Sequence, residues 1–273
     1  MGKTSLKRFT DTLPPAEISA ELRPIIESLG IAKNCRQLAE QGWTVLESAN
    51  SQALNTRLRD TILALAGESG GANMLLHKDP VFAAAVLLPE LLAIAEFSVG
   101  RGFLLSQVAA SVRQQGSPSI GLHADHNWLP APFPAHNMLL TACWACDDYT
   151  QENGATLVIP GSAATRRHPT DAECAELNGA IPIECSAGSI AIWDGNVWHS
   201  NYPRETTGKR VVCHITYSRL MMRPVENYRT HRTELIDTYG DNMAQLLGEA
   251  DFLDSPNGAD YSKLIQTFNN AKR

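Results

Sequence analysis

The chain has 273 residues, 44% hydrophobic, 19% charged and 7% aromatic, with 29 acidic against 23 basic side chains. A chain of this length buries roughly three quarters of its unfolded surface without help from disulfides. Its ordinary apolar content excludes general disorder. The formal charge of -6, with no basic stripe, excludes nucleic acid as the main partner.

Residues 1–18 are polar, end in Leu13-Pro14-Pro15 and read as a surface arm. The mainly helical flank, 19–100, begins with a helix closed by Gly42. A short strand, Trp43-Thr44-Val45-Leu46, follows, and then a helix capped by Ser51 that carries Leu54, Leu58, Ile62 and Leu65. The apolar stretch 81–97 is broken by Pro89 and Glu90, too short to span a membrane, and is expected in the core or at a homodimer contact. From 101 to 220 short β-rich runs alternate with Gly, Pro and Asn turns, at 103–113, 139–146, 156–159, 181–185, 189–193 and 211–218. That rhythm predicts a sandwich or barrel. A helical tail occupies 221–273, with its helix at about 234–247. One domain is expected, mainly β with flanking helices. Six scattered cysteines and no signal-peptide core favour a reduced, cytoplasmic protein without a membrane partner.

The chemistry concentrates in the β region. In His123-Ala124-Asp125, residues i and i+2 of an extended segment share a face, so an imidazole and a carboxylate converge on one metal ion. His199, after the turn-like Asp194-Gly195-Asn196, is the best third ligand. Two histidines and one carboxylate on one face of an octahedron, with open positions left, mark non-haem Fe(II) oxygenases. Arg210, eleven residues after His199, offers a guanidinium fork for the far carboxylate of a chelating 2-oxo acid.

As an ordered set, His123-x-Asp125, Glu152-Asn153-Gly154-Ala155-Thr156, Pro160-Gly161-Ser162, Gly188-Ser189 and His199 followed by Arg210 resembles the phytanoyl-CoA dioxygenase family, from about Leu38 to Ser218. The resemblance implies a double-stranded β-helix (jelly-roll, cupin-like) core, iron held by His123, Asp125 and His199, 2-oxoglutarate gripped by Arg210, and O2 as the other co-substrate. It also implies an aromatic contact to the co-substrate from Trp144 and polar contacts from Gln107, Thr156 and Asn201. Asn201 stands where the family frequently has Ser, and Gly161-Ser162-Ala163-Ala164 departs from a common Ser-His. Because Asp125 is retained, oxidation is favoured over the halogenation carried out by relatives that lack this carboxylate. The expected activity is oxidation of a small, largely apolar molecule with release of succinate and CO2. The rivals are a cupin-like isomerase or lyase and a non-catalytic binding protein.

Other motifs have plainer readings. Cys143 and Cys146 face opposite sides of a strand, which suits burial rather than metal binding. His126 is expected in solvent or a loop, and His136, His168 and His231 at the surface. His214 shares strand parity with Arg210 and reads as a core histidine or a substrate contact. The segments 70–78, 127–134 and 221–225 are the candidate substrate loops. Within them, Trp128, Phe133 and Met222 suit an apolar ligand, and Arg223 an acidic group.

Overall fold

In the computed structural model, residues 18–49, 51–68, 70–249, 260–262 and 264–265 are described; most of the expected arm lies outside them. The flank comprises α1 (Arg23–Ser28), α2 (Ala32–Gln41), β1 (Trp43–Leu46), α3 (Gln52–Ala66), β2 (Gly71–Ala72), α4 (Pro80–Val86) and α5 (Pro89–Val99). Gly42 closes α2 in the left-handed conformation (φ 83°), and the Ser51 hydroxyl accepts from Leu54 N at 3.3 Å to cap α3. The core follows with β3 (Leu104–Gln114), β4 (Leu139–Ala145), β5 (Thr156–Val158), α6 (Asp171–Glu176), β6 (Ile181–Pro182), β7 (Ile190–Asp194), β8 (His199–Asn201) and β9 (Lys209–Ser218). The tail is α7 (Arg232–Tyr239) and α8 (Asp241–Leu246), two helices where the sequence suggested one. Gly240 breaks them, because its φ of 75° and ψ of -154° lie outside helical space.

Two antiparallel sheets form the core. The larger runs β1-β7-β4-β9-β3-β2 and the smaller β6-β5-β8. The smaller sheet is extended by a bridge between His123 and His199. These two sheets and the helices on the outer face make the jelly-roll that the family resemblance implied, within the sandwich-or-barrel class that the strand rhythm predicted.

Strand alternation divides the large sheet into two chemistries. Leu140, Ala142, Trp144, Cys146, Ile190, Ile192, Val211, Cys213, Ile215 and Tyr217 share one apolar cluster with the flanking helices. Cys143, Ala145, Ala191, Trp193 and Val212 point the other way, into the barrel, beside Tyr149 and Val158. Cys143 and Cys146 thus lie on opposite faces, and both are free thiols. Helices α4 and α5 are bent by 53° relative to each other and bury most of their side chains in the outer cluster. Among the described residues no single helix is long and apolar enough to cross a membrane.

Candidate active site

Three elements bring the metal-ligand candidates together. His123 bridges to His199 through two backbone bonds, His123 N to His199 O at 3.0 Å and His199 N to His123 O at 2.8 Å. Asp125 N donates to Gly195 O at 2.9 Å, tying the carboxylate segment to the turn after β7. Gly195 is dictated by space, since a Cβ there would stand 2.9 Å from Leu139 O and 3.1 Å from His126 Cε1.

The ligand atoms of His123, Asp125 and His199 all lie within 4.8 Å of one another. Asp125 Oδ1 is 3.4 Å from His199 Nε2 and 3.7 Å from His123 Nε2. Neighbouring ligands at about 2.1 Å from a metal stand roughly 3 Å apart, so small side-chain shifts would close the set on an ion. The surrounding hydrogen bonds fit that role. His123 Nδ1 bonds Gly121 O at 2.8 Å and His199 Nδ1 bonds Val197 O at 3.1 Å, which leaves both Nε2 lone pairs inward. Thr141 Oγ1 (3.0 Å) and Trp193 Nε1 (3.2 Å) both donate to Asp125 Oδ2, so Oδ1 is the oxygen left for a metal. Burial alone would raise the Asp125 pKa, but His199, His123 and the Thr141 hydrogen bond hold it well below the usual range. Burial, then the neighbouring His199, lowers that of His123.

Asp125 and His199 line a cavity of about 460 Å³. Arg210, Thr156 and Asn201 line it as well, with Tyr149, Ser111, Arg113 and His214. Arg210 is buried; its Nη1 donates to Gly154 O and its Cζ lies 4.9 Å from the Tyr149 ring centre. Gly154 holds a φ of 78°, and a Cβ there would meet Tyr202 O at 3.0 Å, which explains the glycine in this loop. Thr156 Oγ1 is 2.8 Å from Tyr149 OH, and Asn201 Oδ1 accepts from Ile120 N at 3.1 Å. Other wall residues are Ser106, Gln107, Asn127, Trp128, Leu139, Thr216 and Val225. A bulge between Leu105 and Gln107 allows the consecutive Ser106 and Gln107 both to reach it.

Several expectations are corrected. Trp144 does not reach the cavity; it is fully buried among the outer-face apolar side chains, because its strand parity is opposite to that of Thr141 and Cys143. Phe133 is buried in a separate cluster between His126 and His168, at 5.4 and 4.9 Å between ring centres. His126 is therefore a buried residue and not a solvent one, and His168 bonds its carbonyl at 3.3 Å. Met222 and Arg223 line a neighbouring cavity of about 730 Å³, and only Val225 borders both. Segment 70–78 pairs at the sheet edge and stacks His77 on His231 at 3.8 Å. Thr141, Tyr149, Ser111 and Arg113 were not singled out as site residues. A polar residue in an otherwise apolar strand was the available signal for Thr141.

The family model described as phytanoyl-CoA dioxygenase (PhyH) matches residues 10–212. The chain belongs to this family. Among relatives, "Dioxygenase af480" of Aspergillus fumigatus is 30% identical over 234 residues, covering 77% of this chain and 74% of that protein. "Uncharacterized protein Rv1501" of Mycobacterium tuberculosis is 29% identical over 215 residues, covering 70% and 74%. HygX from Streptomyces hygroscopicus, solved with nickel and 2-oxoglutarate bound, superposes with a TM-score of 0.60 at 16% identity, covering 71% of this chain and 88% of HygX. At that identity the family member and HygX share a fold.

Proposed function

We propose that the chain is an Fe(II)- and 2-oxoglutarate-dependent oxygenase that oxidises a small organic molecule and releases succinate and CO2. The observation that carries the reading is the convergence of His123, Asp125 and His199 with both Nδ1 atoms and Asp125 Oδ2 already occupied by protein partners. The solved structures of HygX with 2-oxoglutarate and with iron support it by analogy of fold. Bound iron with its 2-oxo acid would supply O2 activation and removal of hydrogen from a C–H bond.

The chain's own residues do the rest. Arg210 holds the far carboxylate, with Thr156 and Asn201 beside it. Thr141 and Trp193 keep Asp125 oriented, and the apolar cluster inside the barrel, to which Trp193 belongs, keeps bulk water from the ligands. The remaining wall pairs Ser106, Gln107, Asn127 and Thr216 with Leu139, Trp128 and Val225. This mixture of uncharged polar and apolar groups suits a neutral substrate with oxygen or nitrogen functions, a more polar molecule than the sequence suggested. Succinate release from Fe(II), 2-oxoglutarate and O2, screened across such molecules, tests the proposal. Turnover should require 2-oxoglutarate and vanish in Asp125→Ala; product formation from a substrate without 2-oxoglutarate would favour an isomerase or lyase instead.

A further inference from the structure

Resting on the oxygenase reading above, we propose that Ile120, Trp128 and Val225 form an apolar collar at the mouth of the metal cavity. The substrate is then an amphiphile whose neutral polar part enters the cavity while an apolar arm stays against the collar. Of the described residues that line the cavity, only Ile120, Asn127, Trp128 and Val225 are exposed. The three apolar ones are 51%, 67% and 54% exposed. They come from segments far apart in the chain: the stretch before His123, the turn after Asp125 and the strap after β9. Single exposed apolar side chains are ordinary on any surface, but three of them around one concave opening mark a ligand site.

All three are held on a pinned backbone. Ile120 N donates to Asn201 Oδ1 at 3.1 Å and the Ser200 hydroxyl donates to Ile120 O, so Ile120 is tied to β8 beside His199. Val225 N donates to Ser106 Oγ at 3.2 Å and Glu226 N to Ser106 O at 2.9 Å, at the bulge of β3. The buried Glu226 carboxylate accepts from Met74 N at 2.6 Å, from Val108 N at 2.8 Å and from Tyr228 OH, which fastens the strap across two segments. Trp128 sits in a turn closed by Leu129 N donating to His126 O at 3.1 Å, between the buried His126 and Phe133. The collar is therefore preorganised, and an apolar group that covers it gains hydrophobic burial at little ordering cost.

Charge and volume set the class of ligand. The charged wall residues are Arg113, Asp125 and Arg210, none of them exposed, so the mouth offers no partner to an ion. The covered part of the wall includes Ser106, Gln107 and Thr216, which supply donors and acceptors to the polar part. At about 460 Å³ the cavity lies towards the small end of the roughly 300–1,000 Å³ range of small-molecule sites, and the co-substrate takes part of it. A substrate of any bulk therefore reaches the collar. Three side chains are too few for a stable protein interface, which needs roughly 20–30 residues a side.

Neutral N-alkylacetamides from butyl to octyl, titrated calorimetrically into anaerobic Mn(II)-loaded protein with and without 2-oxoglutarate, test the inference. Wild-type affinity is expected to rise about two- to fourfold per added methylene, the range from partial to full burial of that group. Trp128→Ala and Val225→Asn, both at exposed positions, should flatten the series while binding Mn(II) and 2-oxoglutarate as wild type does. Met221→Ala removes an apolar side chain that is 79% exposed but outside this cavity, and should leave the series unchanged. A flat series in wild-type protein would overturn the inference. So would a chain-length gain that survives in both collar variants, or one that Met221→Ala removes equally. Wild-type protein that binds Mn(II) but not 2-oxoglutarate would instead sink the oxygenase reading, and the series on the Mn(II) form would still decide the collar.

Discussion

Leu140 and Thr141 are neighbours on β4, yet they belong to different parts of the molecule. Leu140 is buried against the helices with Ala142 and Trp144, where nothing but apolar contact is asked of it. Thr141 faces the barrel and donates to Asp125. The outer face is a continuous hydrophobic cluster that the helices seal; the inner face is built from small side chains, polar groups and a cavity. The same strand thus holds the fold on one side and orients a candidate metal ligand on the other. Stability and site chemistry should be separable by parity alone.

The largest separable effect is expected on the outer face. Trp144→Ala should cost about 3–5 kcal/mol of unfolding free energy, read by chemical denaturation, because it empties a large volume in a closely packed core. The metal affinity of the fraction that stays folded should be little changed. A Trp144→Ala protein that stays as stable as wild type but loses 2-oxoglutarate binding would break the division of faces and restore Trp144 to the site.

On the inner face the expected pattern is reversed. Thr141→Val keeps the shape and removes one of the two donors to Asp125 Oδ2. Metal affinity, measured by Mn(II) or Co(II) titration, should fall about 10- to 100-fold, the usual cost of losing an outer-shell partner. Denaturation should move by no more than about 1.5 kcal/mol, the value of a typical hydrogen bond.

These two positions also show what was legible beforehand. The strand segments, the His123-x-Asp125 pair, His199 and Arg210 stand out because each rests on local spacing or chain order. Trp144 was misplaced because its role came from family likeness, while its strand parity with Cys146 and opposite to Cys143 already pointed outward. The bond from Trp193 to Asp125 and the pairing of Arg113 with Arg210 were not legible, because the partners lie 68 and 97 residues apart in sequence. Such contacts exist only once strand order and register are known. Phe133, Met222 and Arg223 sat in the right loops, but loop sequence does not say which way a side chain turns.

The most gradual expected effect is on pH. His214 has an ordinary pKa of 6.5 when unfolded and about 4 when folded, lowered by burial and then by Arg210. Between those values the unfolded chain binds a proton that the folded protein refuses, so the metal-free protein loses stability as pH falls from 6.5 towards 4. One such group contributes at most about 1.4 kcal/mol per pH unit. His214→Gln should flatten the pH dependence of denaturation by up to that slope. An unaltered profile would show that His214 is protonated in the folded state as readily as in the unfolded one.

The most direct test of the central claim, that the His123, Asp125 and His199 face and Arg210 together hold an iron–2-oxo acid pair, is an anaerobic optical titration with Fe(II) and 2-oxoglutarate. Wild-type protein should develop the weak visible charge-transfer band of the chelate. His199→Ala should lose both iron and band, and Arg210→Leu should keep iron but lose the band at matched 2-oxoglutarate concentration. Folded wild-type protein that binds Fe(II) and shows no band at saturating 2-oxoglutarate would contradict the account.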